Sequence, residues 1–380
     1  MELEKLRALH PKHWEKANAI RILTLDAVAA ANSGHSGMPI GMADVATVLF
    51  EKHLKFSTQH PNWPDRDRFI LSAGHGSMLL YSIAHLCGYS DFDIDQLKNF
   101  RQLGKKTAGH PENFLSDVIE TTTGPLGQGI ANSVGFAIAE ESLRARFGPN
   151  IIDHYTYVIA GDGCLMEGVS QEAISLAGHL NLNKLIVFWD NNNITIDGPV
   201  NLADSTNQKI RFEASGWSVI EIDGHDPEEI NTAILAAKSS EKPTMIACKT
   251  HIAIGTTAQD TSKGHGALTD PELIKSARQV YKWNHGPFDI PKPIKEQWEE
   301  AGRNGDKTFI SWQSKVENLS SAQKSEFDRI FSGDAPKKLS TVIRKFKKEN
   351  SAASPAIATR KSSELTLNAV NSVMRETIGG

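Results

Sequence analysis

Along this chain, short runs rich in β-branched and aromatic residues alternate with helical patterns, and nothing else in the sequence restricts the fold as strongly. RFILS (68–72) precedes SMLLYSIAHLCG, YTYVIA (155–160) precedes EGVSQEAISLAGHL, and LIVFWD (185–190) follows. WSVIEID (217–223) then leads through DPEEINTAILAAK to TMIACKT (244–250). Strand runs separated by helix-length segments predict an α/β fold, a doubly wound, mainly parallel sheet flanked by helices. In DPEEINTA, Asp226 is the expected N-cap and Pro227 the first helical residue, a position that needs no N–H. Upstream, Ala17, Ile20, Leu23, Thr24, Ala27, Val28 and Ala31 recur at three- and four-residue steps. That spacing predicts an amphipathic helix over 14–31, with a glycine terminator at Asn32-Ser33-Gly34.

After about residue 285 the strand runs fade, leaving helical stretches at 294–316 and 321–332 and a basic segment from Lys337 to Lys348. The basic run reads as a solvated helix face. ENSAASP (349–355) is the expected boundary, followed by one helical pattern to Met374. So short a tail cannot bury a core of its own, and reads as the first helix of a second α/β domain. The expected division is therefore an α/β domain over 1–320, a helical and basic linker over 321–355, and the start of a further, truncated domain over 356–380.

Charge and cysteine usage narrow the function. Lys plus Arg number 41 against 45 Asp plus Glu, a formal charge of −4, so no overall basic field exists to hold nucleic acid or anionic lipid. Cys87, Cys164 and Cys248 show neither paired nor CxxC spacing, which argues against disulfides and zinc and for a reducing cytoplasm. The N-terminus is charged, and no run of about 18 apolar residues occurs, so neither secretion nor a membrane span is expected.

Small-molecule chemistry is the better expectation, and one constellation carries it. Gly161-Asp162-Gly163 ends one strand run and Asp190-Asn191-Asn192-Asn193 the next, with one helix between. In a βαβ unit the carboxyl ends of both strands reach the same sheet edge, so a carboxylate and an amide oxygen can converge on one ion. The flanking glycines let the backbone approach an anionic group, and the helix beginning near Glu167 offers free N–H groups to a phosphate. Hard oxygen ligands beside such a loop suit magnesium or calcium bridging a diphosphate. Histidines also recur after glycines: His35 in SGHSG, His75 in AGHGS, His110 in AGHPE and His265 in KGHGA. Taken together they suit a site that binds phosphate and sugar hydroxyls and moves protons near neutral pH.

GDG followed about thirty residues later by NN resembles the thiamine diphosphate fingerprint, and the neighbouring segments are similar to the transketolase family. The matching stretches are SGHSG (33–37), DRFILSAGHGSMLLYS (67–82), FRQLGKKTAGHPE (100–112), ETTTGPLGQGIANSVGFAIAE (120–140), HYTYVIAGDGCLMEG (154–168), DNNNITIDG (190–198), RFEASGW (211–217), IDGHD (222–226), GHGAL (264–268) and ATRKSS (358–363). They span nearly the whole chain but only about the first half of a full-length member, ending just inside the pyrimidine-binding domain.

The resemblance implies a thiamine diphosphate-binding fold and transfer of a two-carbon ketol unit from a ketose phosphate to an aldose phosphate. It implies that Asp162, Asn192 and the backbone carbonyl of Ile194 hold Mg2+, for which Ca2+ could substitute. Gly163, His75 and His265 would lie at the diphosphate, and Gly124, Pro125 and Leu126 would line the cofactor's pyrimidine and linker. His35, His110 and His265 would face the ketose hydroxyls and the reacting carbon, Arg360 would bind the sugar phosphate, and Glu167 would lie at a subunit interface. The family works as a homodimer and needs a glutamate that would lie beyond Gly380, so the expectation is a truncated chain, inactive alone, or one completed in trans by a C-terminal fragment. The alternatives are another thiamine diphosphate ketol transferase or synthase, and a non-catalytic cofactor-binding or assembly subunit. The family pattern is broken at Ser36 and Leu268, where proline is usual, and at His251, where an aliphatic residue is usual.

Overall fold

The computed structural model describes residues 1–379. Five strands form the central sheet: β1 (Arg68–Leu71), β2 (Thr156–Gly161), β3 (Leu185–Asn191), β6 (Ser218–Asp223) and β7 (Thr244–Lys249). A small antiparallel pair, β4 (Ile194–Thr195) and β5 (Gly198–Pro199), follows β3 directly. The five strands are all parallel and run in the order β1-β2-β3-β7-β6, the α/β arrangement the alternation predicts. Strands β2, β3 and β7 lie inside the sheet and are covered on both faces, so nearly every residue in them is buried. That is why they read as unbroken apolar runs rather than as an alternation. Edge strand β6 is half-exposed.

Register aligns the two motifs. Gly161 pairs with Asp190, and Asp190 pairs with Cys248, so the GDG and DNN segments leave the same sheet edge side by side.

The helices follow the sequence with three corrections. The first covers Pro11–Ala31, but it is buried on every side between Lys16 and Val28, and so is not amphipathic there. Its apolar positions pack among neighbouring helices, and Lys16, Asn18, Arg21 and Asp26 are buried too. Its terminator is Asn32, in the left-handed conformation at φ 47°, rather than Gly34; a short amide side chain tolerates that region. Second, the stretch 294–316 is two helices, Lys292–Arg303 and Asp306–Glu317, broken at Asn304-Gly305. Any Cβ at Gly305 would collide with the Phe56 carbonyl, so the chain passes there only as glycine. Third, ENSAA of the expected boundary is helical; the helix Leu339–Ala353 ends on left-handed Ser354, and the last helix is Thr359–Asn371. Asp226 caps Pro227–Lys238 as expected, accepting from the N–H groups of Glu228 and Glu229.

The chain divides into two compact units. The first comprises Met1–Glu141 and Asp153–Ile310 and holds both sheets; the second comprises Ser142–Ile152 and the chain from Ser311 onward. The second unit is helical and thinly cored: Phe147, Trp312 and Phe327 are buried against one another, and the Trp312 indole N–H donates to the Ile151 carbonyl at 2.7 Å. Its two final helices bury no residue, and the basic run Lys337 to Lys348 is largely solvated.

Candidate active site

The site is built where β2 and β3 end. Asp162 begins a short helical turn, Asp162–Met166, immediately after β2, and Glu167 then precedes a separate helix, Gly168–His179. The helix nearest the GDG motif therefore starts on the carboxylate itself, five residues earlier than the sequence suggests. Asp162 is 8% exposed. Its Oδ1 accepts from the Trp189 indole N–H at 3.0 Å, whereas Oδ2 is buried with no hydrogen-bond partner. Burial, then the neighbouring Asp190 carboxylate, pushes the Asp162 carboxyl up to about 7.

Asp190 is fully satisfied by comparison. It accepts from Asn192 Nδ2 at 2.8 Å and from the Thr250 hydroxyl, although burial still pushes its carboxyl up to about 6. Because Asn192 Nδ2 is spent on Asp190, the amide oxygen turns the other way, where it accepts from Ile194 N–H at 2.9 Å. Ile194 pairs across the hairpin with Pro199, which has no N–H to give the Ile194 carbonyl.

These groups share a cleft of about 140 Å³ with His75, Leu126, Gly163 and His265. Ligand pockets usually measure roughly 300–1,000 Å³, so the cleft has room for one charged end of a cofactor rather than a whole one. No cluster of three His, Cys, Asp or Glu side chains able to hold a metal exists among the described residues. The donor set here is of another kind: one carboxylate, one amide oxygen and one backbone carbonyl, all hard oxygens. An orphaned buried carboxylate oxygen beside a second buried acid is the arrangement a divalent cation completes, since uncompensated charge is costly away from water. The residues present fit such an ion.

Three glycine-preceded histidines cluster at the cleft: His75 and His265 line it, and the His35 ring packs against both. The His35 and His75 rings meet edge to face at 5.0 Å, His35 and His265 at 5.5 Å, and His75 stacks on His265 at 4.9 Å. Burial, reinforced by the neighbouring imidazoles, holds His35 down at about 4 and His75 at about 3, and burial lowers His265 as well. At neutral pH these rings are uncharged, and His35 Nδ1 is buried without a partner. His110 is also held low, by burial and by Arg101. Its ring lies against Gly124, where a Cβ would come within 3.4 Å of it.

Glu167 and Pro125 are exposed or partly so, and Leu126 reaches into the cleft. Arg360 is exposed on Thr359–Asn371, in the second unit. Motif spacing assigns no role to Trp189 and Asp190, which act directly on the Asp162 carboxyl, or to Cys164, which lines the same cleft. Asp190 carried a usable signal, a charge closing an otherwise apolar strand. No local signal marks Trp189, whose side chain reads simply as core.

A family model described as transketolase, thiamine diphosphate binding domain, matches residues 12–336. The transketolase of Rhodobacter capsulatus is 55% identical over 381 residues, covering 100% of this chain and 57% of its own length. A crystal structure of transketolase from Campylobacter jejuni is similar at a TM-score of 0.86 and 42% identity, over 96% of this chain and 56% of that one. A Pichia stipitis transketolase in complex with sedoheptulose-7-phosphate has a TM-score of 0.86 at 39% identity, over 95% of this chain and 54% of that one. The chain thus spans little more than half the length of the relatives it matches. Fold, motif spacing and these similarities together show that the chain belongs to the transketolase family, as its thiamine diphosphate-binding, N-terminal half.

Proposed function

We propose that this chain supplies the diphosphate and metal half of a transketolase active site, for transfer of a two-carbon ketol unit between ketose and aldose phosphates. The observation that carries the reading is the orphaned Asp162 Oδ2 at the end of β2, beside neutral histidines. Uncharged imidazoles donate hydrogen bonds to a diphosphate but do not neutralise it, so the positive charge has to come from a cation held by Asp162, Asn192 and the Ile194 carbonyl. Mg2+ is the ion proposed, with Ca2+ an acceptable replacement because both take hard oxygen ligands. Thiamine diphosphate, when bound, supplies the electron sink for cleaving the ketose carbon–carbon bond.

The chain's own residues do the remaining work. His75 and His265, with the backbone at Gly163, hold the diphosphate end; Gly124, Pro125 and Leu126 line the path away from it. His35, His110 and His265 exchange protons with sugar hydroxyls, a role that neutral imidazoles can begin as acceptors. Arg360 is assigned to the sugar phosphate, where its planar donors can engage two oxygens, and Glu167 to an interface between two copies of the chain. Sedoheptulose-7-phosphate in the Pichia stipitis protein supports this substrate class. We read 1–320 as the diphosphate-binding domain, 321–355 as linker and 356–380 as the start of a pyrimidine-binding domain, completed in a homodimer or by a C-terminal fragment in trans. Three buried free cysteines accord with a reducing cytoplasm. Among the described residues no helix is long and apolar enough to cross a membrane.

Calorimetric titration of thiamine diphosphate into this chain, with Mg2+ and then with chelator, tests the reading. Binding should weaken by at least about ten-fold on chelation and in Asp162→Ala, since an anionic ligand beside a diphosphate is lost. Equal affinity under all conditions would remove the metal assignment.

A further inference from the structure

Ser36 has no exposed surface; its carbonyl stays within its own segment, accepting from Ile40 N–H, while its backbone N–H and its hydroxyl cross to the segment that carries His265. Its backbone N–H donates to the Gly266 carbonyl at 2.9 Å, and its hydroxyl accepts from Leu268 N–H at 3.3 Å. The next residue continues the stitching. Ala253 N–H donates to the Gly37 carbonyl at 3.2 Å, and a Cβ at Gly37 would collide with the Gly264 carbonyl. Residues 36–37 are thereby held at backbone contact with 253 and 264–268, more than 200 residues later, next to the His35 and His265 rings, whose centroids lie 5.5 Å apart. His35 Nδ1 has no partner of its own, so on that side its ring takes its place from the backbone that carries it.

We propose that Ser36 is a positioning residue, which through its N–H and its hydroxyl locks the His35 loop to the His265 loop and sets the spacing of the two imidazoles. The proposal rests on the reading of both histidines as site groups. What it asserts is a spacing, however, and that can be measured without turnover. A seryl hydroxyl in a fully buried site with Leu268 N–H as its donor is not needed to fill space; an alanine would nearly do so. Its contribution is directional, because a hydrogen bond fixes distance and angle where apolar contact fixes only volume.

The test follows the imidazole ring signals of the cofactor-free chain by NMR across a pH titration. Ser36→Ala removes only the hydroxyl, and Leu268→Pro removes the N–H which that hydroxyl accepts. In Ser36→Ala the Leu268 amide should exchange with solvent about five- to ten-fold faster, the ratio a single lost hydrogen bond gives. In both variants the His35 and His265 midpoints should rise toward the ordinary imidazole value, as each ring gains solvent and distance from its neighbour. The midpoints of half-buried His53 and buried His154, elsewhere in the same unit and both held low at about 4, should stay where they are. The double variant should move the site midpoints no further than the larger single change, because both substitutions break the same bond. Unmoved His35 and His265 midpoints in both single variants would overturn the proposal. So would an equal movement of all four histidines, the pattern of general loosening. A chain that shows the selective shift yet binds no thiamine diphosphate keeps the lock and loses only the functional reading above.

Discussion

Among the buried clusters of ionisable groups in the first unit, the one around Asp44 and the one around Asp162 differ in whether the protein finishes them. Asp44 is fully buried and accepts from Arg21 at 2.5 Å, His13 Nε2 at 3.0 Å and His225 Nδ1 at 2.8 Å. His225 Nε2 in turn accepts the His251 backbone N–H at 3.0 Å, which places the His225 proton on Nδ1 without requiring a charged ring. Arg21 spends its other donors on Asn18 and the Ile40 carbonyl. The Arg21 guanidinium and the two histidines overcome burial and hold the Asp44 carboxyl well below its ordinary range. Asp162 has one donor, no neighbouring cation, and a carboxyl pushed up to about 7. A finished cluster stabilises the fold it is built into. An unfinished one costs stability, and persists where a ligand completes it.

The sharpest way to break this comparison is to unfinish the finished cluster. Arg21→Met leaves the Asp44 carboxylate buried without its cation, and should cost about 3–5 kcal/mol in denaturant unfolding. The native Asp44 carboxyl lies below its unfolded value, so its contribution is present above the unfolded value and is lost as pH falls through the folded one. The wild-type chain should therefore lose stability on the acid side more steeply than the variant. A loss under 1 kcal/mol would show that the network is not what holds these segments.

The converse change should go the other way. In the metal-free chain, Asp162→Asn should gain on the order of 1–3 kcal/mol at pH 8, because a carboxyl raised to about 7 is ionised there at a cost. For a group whose folded value is raised, the stabilising contribution is present below the unfolded value and disappears as pH rises through the folded one. The gain should thus vanish below about pH 4. Adding Mg2+ with inorganic pyrophosphate should reverse the order, stabilising wild type and leaving the variant unmoved. A variant less stable than wild type at pH 8 without metal would mean that the Asp162 cluster is structural like the other.

A smaller effect reads the same ionisation directly. Mg2+ binding at pH 7 should release about half a proton per site from Asp162, and none at pH 9, measured by calorimetry in buffers of different ionisation enthalpy. Asp190, pushed up to about 6, is coupled to it, so the pair titrates jointly and the release belongs to both. No proton release at pH 7 would place the ion elsewhere.

These two clusters were not equally legible. Asp162 and Asn192 stood out because GDG and NN are local, and because two strands joined by one helix must end on one sheet edge. His13 and Arg21 share one helix, but Asp44 and His225 come from two other segments with no common spacing, and each alone reads as a surface or helix residue. The all-round burial of Lys16 to Val28 was invisible for a related reason: apolar periodicity marks the face a helix shows its first neighbour, while Arg21 and Asp26 are buried by partners that arrive from residues 40–44 and 278–288. The strands were legible because burial on both faces makes the code simple. Convergence of His35, His75 and His265 was legible as a class, by glycine context, but their mutual distances depend on backbone hydrogen bonds such as that of Ser36, which no side-chain pattern announces.

The smallest expected effect comes from removing the single donor that the unfinished cluster has. Trp189, 7% exposed on β3, gives its indole N–H to Asp162 Oδ1 at 3.0 Å, and that bond opposes the upward push of burial. Trp189→Phe keeps a large ring in the core but leaves both carboxylate oxygens without protein donors. Had Asp162 belonged to a finished cluster, the loss would fall wholly on stability. Here the acid can instead take up a proton, so the cost at pH 6 should be confined to about 1 kcal/mol, mostly from packing around the smaller ring. Ionisation should become harder, moving the midpoint of the metal-free pH dependence further upward, and Mg2+ affinity at pH 7 should fall a few-fold because the ion must expel a proton more often. Unfolding curves across pH, with and without Mg2+, read both quantities on one preparation. A midpoint that moves down, toward the ordinary carboxyl value, would mean that the indole bond favours the protonated acid, and that Asp162 is kept neutral by design rather than held ready for a cation.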